Sequence, residues 1–134
     1  MDKINSLICF LIAIQNFCKD IHYNSKGEAF YGKHLLADRV QDNISDYIDR
    51  IKEVCILGKG ENTLPSWEYL TQATGLIPQI NPEDKENFKS LANLIVYVLS
   101  LIEEMEGSKG EDNLYAAIAE DLQNSLGLIN KQVI

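Results

Sequence analysis

The only two histidines of the chain, His22 and His34, lie twelve residues apart and precede three carboxylates, Asp38, Asp49 and Glu53. On one continuous helix at about 100° per residue, His34 and the three carboxylates share one face. Imidazole and carboxylate groups are common ligands of divalent transition metals in proteins. The pattern therefore predicts a metal-binding face.

The distances along this helix indicate that one chain cannot complete the site. Eleven residues separate Asp38 from Asp49, and at about 1.5 Å per residue this corresponds to roughly 16 Å. A second copy of the helix can lie antiparallel across a two-fold axis near Asn43 or Ile44. In that arrangement the end of one helix that carries His34 and Asp38 meets the end of the other helix that carries Asp49 and Glu53. The sequence thus predicts two identical sites per dimer, each built from both chains.

Each of these residues also has an ordinary structural explanation. Asp38, Asp42 and Asp46 form an i, i+4 series that is typical of a solvated helix face. His22 near a helix end can interact with the helix dipole, and His34 can be a partly buried core residue. The convergence of both histidines with three carboxylates under one symmetry operation favours the metal site over these separate explanations.

Several other kinds of catalytic site are not indicated. The Glu-x-x-His motif of di-iron bundles is absent, because Lys19 and Tyr31 stand three residues before the two histidines. The sequence has no His-Glu-x-x-His zinc motif, P-loop or dinucleotide-binding glycine pattern. A nucleophilic Cys18 beside His22 is disfavoured, since Cys18 belongs to an apolar stripe and a reactive thiol needs an exposed electropositive pocket.

Length and charge limit the class of protein. The 134 residues suit a single domain over residues 1–134, which is room for four helices of about twenty residues each. The hydrophobic fraction of 46% argues against disorder. The net charge of −8 makes DNA binding unexpected and suits a protein that handles cations.

The cysteines and the apolar N-terminal segment both favour a cytoplasmic protein. Cys9, Cys18 and Cys55 are odd in number and show no CxxC spacing, which predicts reduced, buried thiols rather than disulfides. The apolar run 7–14 is not followed by a small-residue cleavage site and is too short to span a bilayer. We therefore expect no membrane association, and this run should form a buried face of the first helix.

Hydrophobic periodicity and turn residues predict an all-α protein. A first helix over about 3–23 ends at the turn cluster 24–27, and a second, long amphipathic helix follows over about 29–57. Further helices are expected over about 66–73, capped by Ser66, then over 82–105 behind Asn81, and from Asp112 or Asn113 to about 131. This order predicts a four-helix bundle with a short crossover helix between the second and third long helices.

Residues 20–30, followed by His34, Asp38, Asp49 and Glu53, resemble the core signature of the Dps mini-ferritins, a family with the ferritin-like four-helix bundle. In that family a histidine and an Asn-x-x-Gly turn precede a second histidine twelve residues on. The ferroxidase ligands are two histidines and an aspartate from one subunit, with an aspartate and a glutamate from its two-fold mate. All five ligand positions match in identity and spacing.

The resemblance implies a ferroxidase that stores and detoxifies iron. Fe(II) would be bound and oxidised at His22, His34, Asp38, Asp49 and Glu53, with hydrogen peroxide or dioxygen as oxidant, and the ferric mineral stored inside a hollow homo-dodecamer of two-fold dimers. Protection against oxidative stress would follow from consumption of peroxide.

The sequence departs from the family pattern outside these ligands. Tyr23 replaces the tryptophan that usually follows the first histidine, and Lys52 and Val54 flank Glu53 where alanine and arginine are common. The last helix lacks the frequent His-x-Trp, and the N-terminus has no lysine-rich extension of the kind that several relatives use on DNA. A non-catalytic Dps-like assembly protein with weak metal binding is the alternative hypothesis, and DNA compaction without ferroxidase activity is disfavoured.

Overall fold

The computed structural model describes residues 1–133 and is all-α, as the periodicity predicts. Within these residues the six α-helices are α1 (Lys3–Asn24), α2 (Phe30–Gln41), α3 (Ile44–Ile51), α4 (Ser66–Thr74), α5 (Asp84–Glu103) and α6 (Lys109–Gln132). A π-helical turn, Lys52–Ile56, and a 3-10 turn, Leu57–Lys59, follow α3 directly. The short α4 lies between the second and third long helical segments, where a crossover helix is expected.

Helix α1 is the centre of the packing. It contacts α2, α3, α4 and α5, while α6 contacts α2, α3 and α5. The apolar run 7–14 fills the core, with Leu7, Leu11 and Ile14 fully buried. Within residues 1–133, α1 is the one helix long and apolar enough to cross a membrane by length and composition, a test that buried core helices also pass.

The expectation of one continuous helix over 29–57 is wrong in detail. Asp42 and Asn43 form a turn between α2 and α3, where the Asp42 N–H donates to the Arg39 carbonyl at 3.3 Å, an i, i+3 hydrogen bond. Asn43 is a poor helix former, and its side-chain amide donates to Asp121 of α6 at 3.1 Å. Glu53 lies in the π turn that follows α3. The uniform rotation of about 100° per residue therefore does not apply from Asp38 through to Glu53.

The helix starts also differ from the sequence predictions. Pro65, not Ser66, occupies the cap position of α4, and Ser66 is its first helical residue. Helix α5 begins at Asp84, because Asn81 Oδ1 accepts a hydrogen bond from the Glu83 N–H at 2.9 Å in a local turn before the helix.

Helix α6 begins at Lys109, earlier than Asp112, because Ser108 and Glu111 form a capping box. Ser108 Oγ accepts from the Glu111 N–H at 3.2 Å, and Glu111 Oε1 accepts from the Ser108 N–H at 3.2 Å. Two backbone N–H groups that the helix itself leaves without partners are thereby satisfied.

Buried Glu111 also makes an ion pair with the exposed Lys59, which joins α6 to the end of the second helical segment. Its side chain is 6% exposed, and Lys59 Nζ lies 2.9 Å from Glu111 Oε2. The hydrogen bond from Lys59 is the main cause that holds the pKa of Glu111 below its usual value of 4.5, against the opposing effect of burial. The ionised form is therefore favoured in the folded state.

We expect Glu111→Gln to lower the free energy of unfolding at neutral pH by about 1.5–3 kcal/mol at most, the range for a hydrogen bond to a charged group, because Lys59 is partly exposed to solvent. Glutamine still accepts the hydrogen bond that completes the capping box. The loss of unfolding free energy therefore measures the contribution of the carboxylate charge. Because the folded pKa is lowered, the stabilisation is complete above the usual value of 4.5 and is lost as the pH falls through the folded value.

Urea denaturation of both proteins at neutral pH and below about pH 3 measures this difference, which should shrink at the acidic pH. Glu106→Gln, at an exposed carboxylate just before the same helix, is the matched control. A difference between wild type and Glu111→Gln that is the same at both pH values would contradict the ion-pair explanation.

Candidate metal centre

A short loop brings the two histidines together. His22 lies in the last turn of α1, and His34 lies early in α2. Residues 25–29 reverse the chain between them, with Gly27 and Ala29 in the left-handed conformation at φ values of 74° and 60°. Glycine adopts this conformation readily, whereas alanine must be held in it by its surroundings. The two helices consequently pack side by side with their histidines in contact.

The histidine rings bond to each other's backbone. Nδ1 of His22 lies 2.8 Å from the His34 carbonyl oxygen, and Nδ1 of His34 lies 2.6 Å from the His22 carbonyl oxygen. The rings stack with centroids 3.4 Å apart and planes 19° apart. A carbonyl oxygen only accepts, so each Nδ1 carries the proton, and in the neutral rings each Nε2 keeps a lone pair. Metal-ligating histidines commonly have their other nitrogen held in this way.

Asp38 is the third ligand predicted from this part of the chain. It follows His34 by one turn of α2 and is exposed, and its Oδ1 accepts from Gln41 Nε2 at 3.1 Å. Burial is the main cause that raises the pKa of the Cys18 thiol, and the negative charge of Asp38 is the smaller cause. Cys18 precedes His22 by one turn of α1. The protonated, buried thiol is not an activated nucleophile, in agreement with the sequence interpretation.

The structure does not bring all five predicted ligands together. Asp49 on α3 and Glu53 in the π turn are exposed. Across residues 1–133, no group of three or more histidine, cysteine, aspartate or glutamate side chains is arranged to hold a metal ion. One chain therefore provides a histidine pair with a carboxylate one turn away, and the contribution of Asp49 and Glu53 from a second chain stays a prediction.

The acidic face beside the site is partly accounted for within the chain. Asp42 and Asp46 are both exposed, and Asp46 Oδ2 lies 3.8 Å from Arg50 NH1 in an i, i+4 pair. Exposed pairs of this kind contribute little to stability. For Asp46 the solvated-face interpretation is the simpler one.

Exposed apolar side chains surround the histidines. Tyr23 packs its ring edge-on against His22, and Phe30 and Tyr31 lie near His34, with centroids 5.3 and 6.5 Å from its ring. Tyr23 and Tyr31 are 76% and 69% exposed. Large exposed apolar side chains that cluster in this way are typical of an interaction surface.

Sequence reasoning missed an ion pair that holds the loop between the histidines. Asp84, the first residue of α5, accepts through Oδ2 from the Lys26 N–H and from Lys33 Nζ, each at 3.0 Å. Lys33 Nζ also donates to the Lys26 carbonyl at 3.2 Å. We call these three residues the Asp84 clamp. Burial opposes the ionisation of Asp84, but its hydrogen bonds to Lys26 and Lys33 outweigh that effect and lower its pKa.

No pattern in the sequence pairs Asp84 with Lys33, because 51 residues separate them. The sequence shows only that Asp84 is an acidic residue at the start of a helix. This feature predicts a favourable interaction with the helix dipole, but it does not identify Lys33 as a partner.

Comparison of the chain with protein-family models and with curated proteins finds no match.

Proposed function

We propose that this protein is a Dps-type mini-ferritin that oxidises Fe(II) at sites shared across a two-fold dimer interface and stores the ferric product in a hollow oligomer. The observation that supports this most strongly is the histidine pair. Its two Nδ1–carbonyl hydrogen bonds leave two Nε2 lone pairs on adjacent rings, as a metal site requires.

The donor set suits iron. His22, His34 and Asp38 would hold Fe(II) from one chain, and Asp49 and Glu53 of a second chain would close the site. Imidazole and carboxylate ligands suit the ferrous ion, and the carboxylates favour the ferric product because it is the harder ion. With hydrogen peroxide as oxidant, two Fe(II) ions each give up one electron, and the peroxide takes up two protons and becomes two water molecules.

The fold is compatible with the ferritin-like four-helix bundle. Four helical segments, namely α1, α2 with α3, α5 and α6, each pack against two of the others. The short α4 follows the second segment, in the position of the crossover helix. The proposal of a ferritin-like subunit draws on this order of elements together with the site.

The exposed surface around the histidines supports a second copy as partner. Tyr23, Phe30, Tyr31 and Leu35 are between 40% and 76% exposed beside the incomplete site. A symmetric dimer would cover these side chains and supply the missing carboxylates at the same time. The free, buried cysteines suit a reducing compartment, which supports the cytoplasm as its location.

The alternative is an assembly protein of the same fold that binds metal weakly and does not oxidise it. The departures from the family pattern at Tyr23, Lys52 and Val54 are the observation in its favour. Stopped-flow oxidation of Fe(II) by substoichiometric hydrogen peroxide separates the two. A rapid phase in which the amount of Fe(II) oxidised is proportional to the number of subunits supports the ferroxidase. Oxidation no faster than in buffer supports the assembly protein.

The first prediction from this proposal is the size of the particle. Twelve subunits of 15.1 kDa give a closed assembly of about 180 kDa. Multi-angle light scattering of the tag-free protein should give this mass. A stable monomer under native conditions would contradict the shared site, because each site requires ligands from two chains.

A further inference from the structure

We propose that Asp84 is a positioning residue that fixes both histidine rings in the orientation and tautomer of metal ligands by clamping the loop between them. The metal-binding consequence rests on the proposed function, whereas the effect on the rings does not. Asp84 itself makes no contact with either ring and acts through Lys26 and Lys33.

The orientation of the rings depends on the backbone at both ends of the loop. Each ring donates to the backbone carbonyl of the other histidine, so neither hydrogen bond survives a displacement of one helix end relative to the other. A single displacement would therefore free both Nδ1 atoms and allow either nitrogen of each ring to carry the proton.

The clamp holds the loop on both sides. Lys26 follows His22 by four residues, and Lys33 directly precedes His34. Asp84 contacts both lysines with one carboxylate oxygen, and the side chains of Lys33 and Asp84 are only 18% and 9% exposed. Hydrogen bonds between charged groups are about twice as strong as neutral ones, and low exposure limits screening by salt.

The loop needs such support. Ala29 has a φ of 60°, in the region that non-glycine residues rarely adopt. Within the loop, the Ser25 N–H and hydroxyl donate to the Ile21 carbonyl at 2.9 and 2.6 Å, which fixes only the end that follows α1. On the side toward His34, the Phe30 N–H donates to the Gly27 carbonyl at 3.2 Å. Asp84 connects the Lys26 N–H and the Lys33 side chain to α5.

Variants that remove different parts of the clamp test this assignment. Asp84→Ala removes both contacts, Asp84→Asn keeps an acceptor for the Lys26 N–H but loses the charge, and Lys33→Met removes the cation alone. Lys33→Arg keeps the cation and should restore wild-type behaviour. Glu86→Gln is the matched control, because Glu86 is an exposed carboxylate on the same helix whose partner is Lys89.

The first measurement is the crystal structure of metal-free Asp84→Ala. We expect the 3.4 Å stacking of the rings and both Nδ1–carbonyl hydrogen bonds to be lost, with the helices retained. If Asp84→Ala does not fold, Lys33→Met and Asp84→Asn are examined in the same way. Unchanged rings in the variants that fold would overturn the proposal, whether or not the protein oxidises iron.

The second measurement is titration with Co(II), followed by its visible absorption, which reports the ligands and geometry of the bound ion. We expect Asp84→Ala and Lys33→Met to lose about 10- to 100-fold in Co(II) affinity, as is typical when the support of a ligand is removed. Lys33→Arg and Glu86→Gln should match wild type. Disordered rings in Asp84→Ala together with no Co(II) binding by wild type would support the clamp and contradict the proposed function.

Discussion

Replacing His34 and Asp38 together with alanine is expected to reduce the rate of Fe(II) oxidation by at least about 100-fold, because weakening even the support of a metal ligand costs 10- to 100-fold. The substitution removes one of the two stacked rings and the carboxylate one turn away. Asp49→Asn with Glu53→Gln should cause a comparable loss, although these two residues lie apart from the histidines within one chain.

The loss must be separated from a change in fold. Both double variants should retain helical circular dichroism and the mass of the wild-type assembly. Glu103→Gln, at an exposed carboxylate near the end of α5, is the control for lost negative charge and should oxidise iron at the wild-type rate. Wild-type oxidation by the Asp49→Asn, Glu53→Gln variant would exclude these two residues from the site.

Mixing the two inactive double variants is expected to restore oxidation. In a mixed dimer both lesions fall in one site, and the other site receives an intact histidine half from one chain and an intact carboxylate half from the other. With random pairing, half of the dimers are mixed and each has one intact site, so activity should recover to about a quarter of wild type. A site within one chain predicts no recovery.

The recovery is measured after co-expression, with mixed assemblies identified by native mass spectrometry. Two variants with the same lesion but different tags provide the control, since their mixed dimers contain no intact site. Mixed assemblies as inactive as both parents would contradict the shared site.

The Dps resemblance implies that His22 and His34 belong to one site, whereas helix periodicity alone does not place the two rings together. The spacing of His22 and His34 and the turn residues between them are local, and the structure brings the two rings into contact. The buried side of α1 is visible in the sequence, because apolar residues at every third or fourth position define the core side of a helix. The all-α class follows from the same periodicity.

The second helical segment makes tertiary contacts that a helical pattern does not specify. Asn43 and Tyr47 both donate to Asp121 of α6, at 3.1 and 2.8 Å. Both bonds join side chains of different helices, and nothing near Asn43 in the sequence identifies its partner. The single face predicted for Asp38 through Glu53 assumed one continuous helix, and the turn at Asp42 and Asn43 interrupts that helix.

The Asp84 clamp also joins residues that are far apart in the sequence. Lys26 and Lys33 are two lysines in a polar loop and a helix start, and Asp84 is one of several acidic residues at the start of another helix. Only packing of α5 against α1 brings the carboxylate to the loop. Sequence periodicity predicts that helices pack, but it does not specify which polar side chains meet when they do.

The most direct test of the shared iron site is an anomalous difference map from crystals of the intact assembly soaked in Fe(II) without oxygen. We expect iron bound by Nε2 of His22, Nε2 of His34 and the carboxylate of Asp38 in one chain, together with Asp49 and Glu53 of the partner subunit. Iron held by residues of one chain alone, or no iron beside the histidine pair at saturating Fe(II), would contradict it.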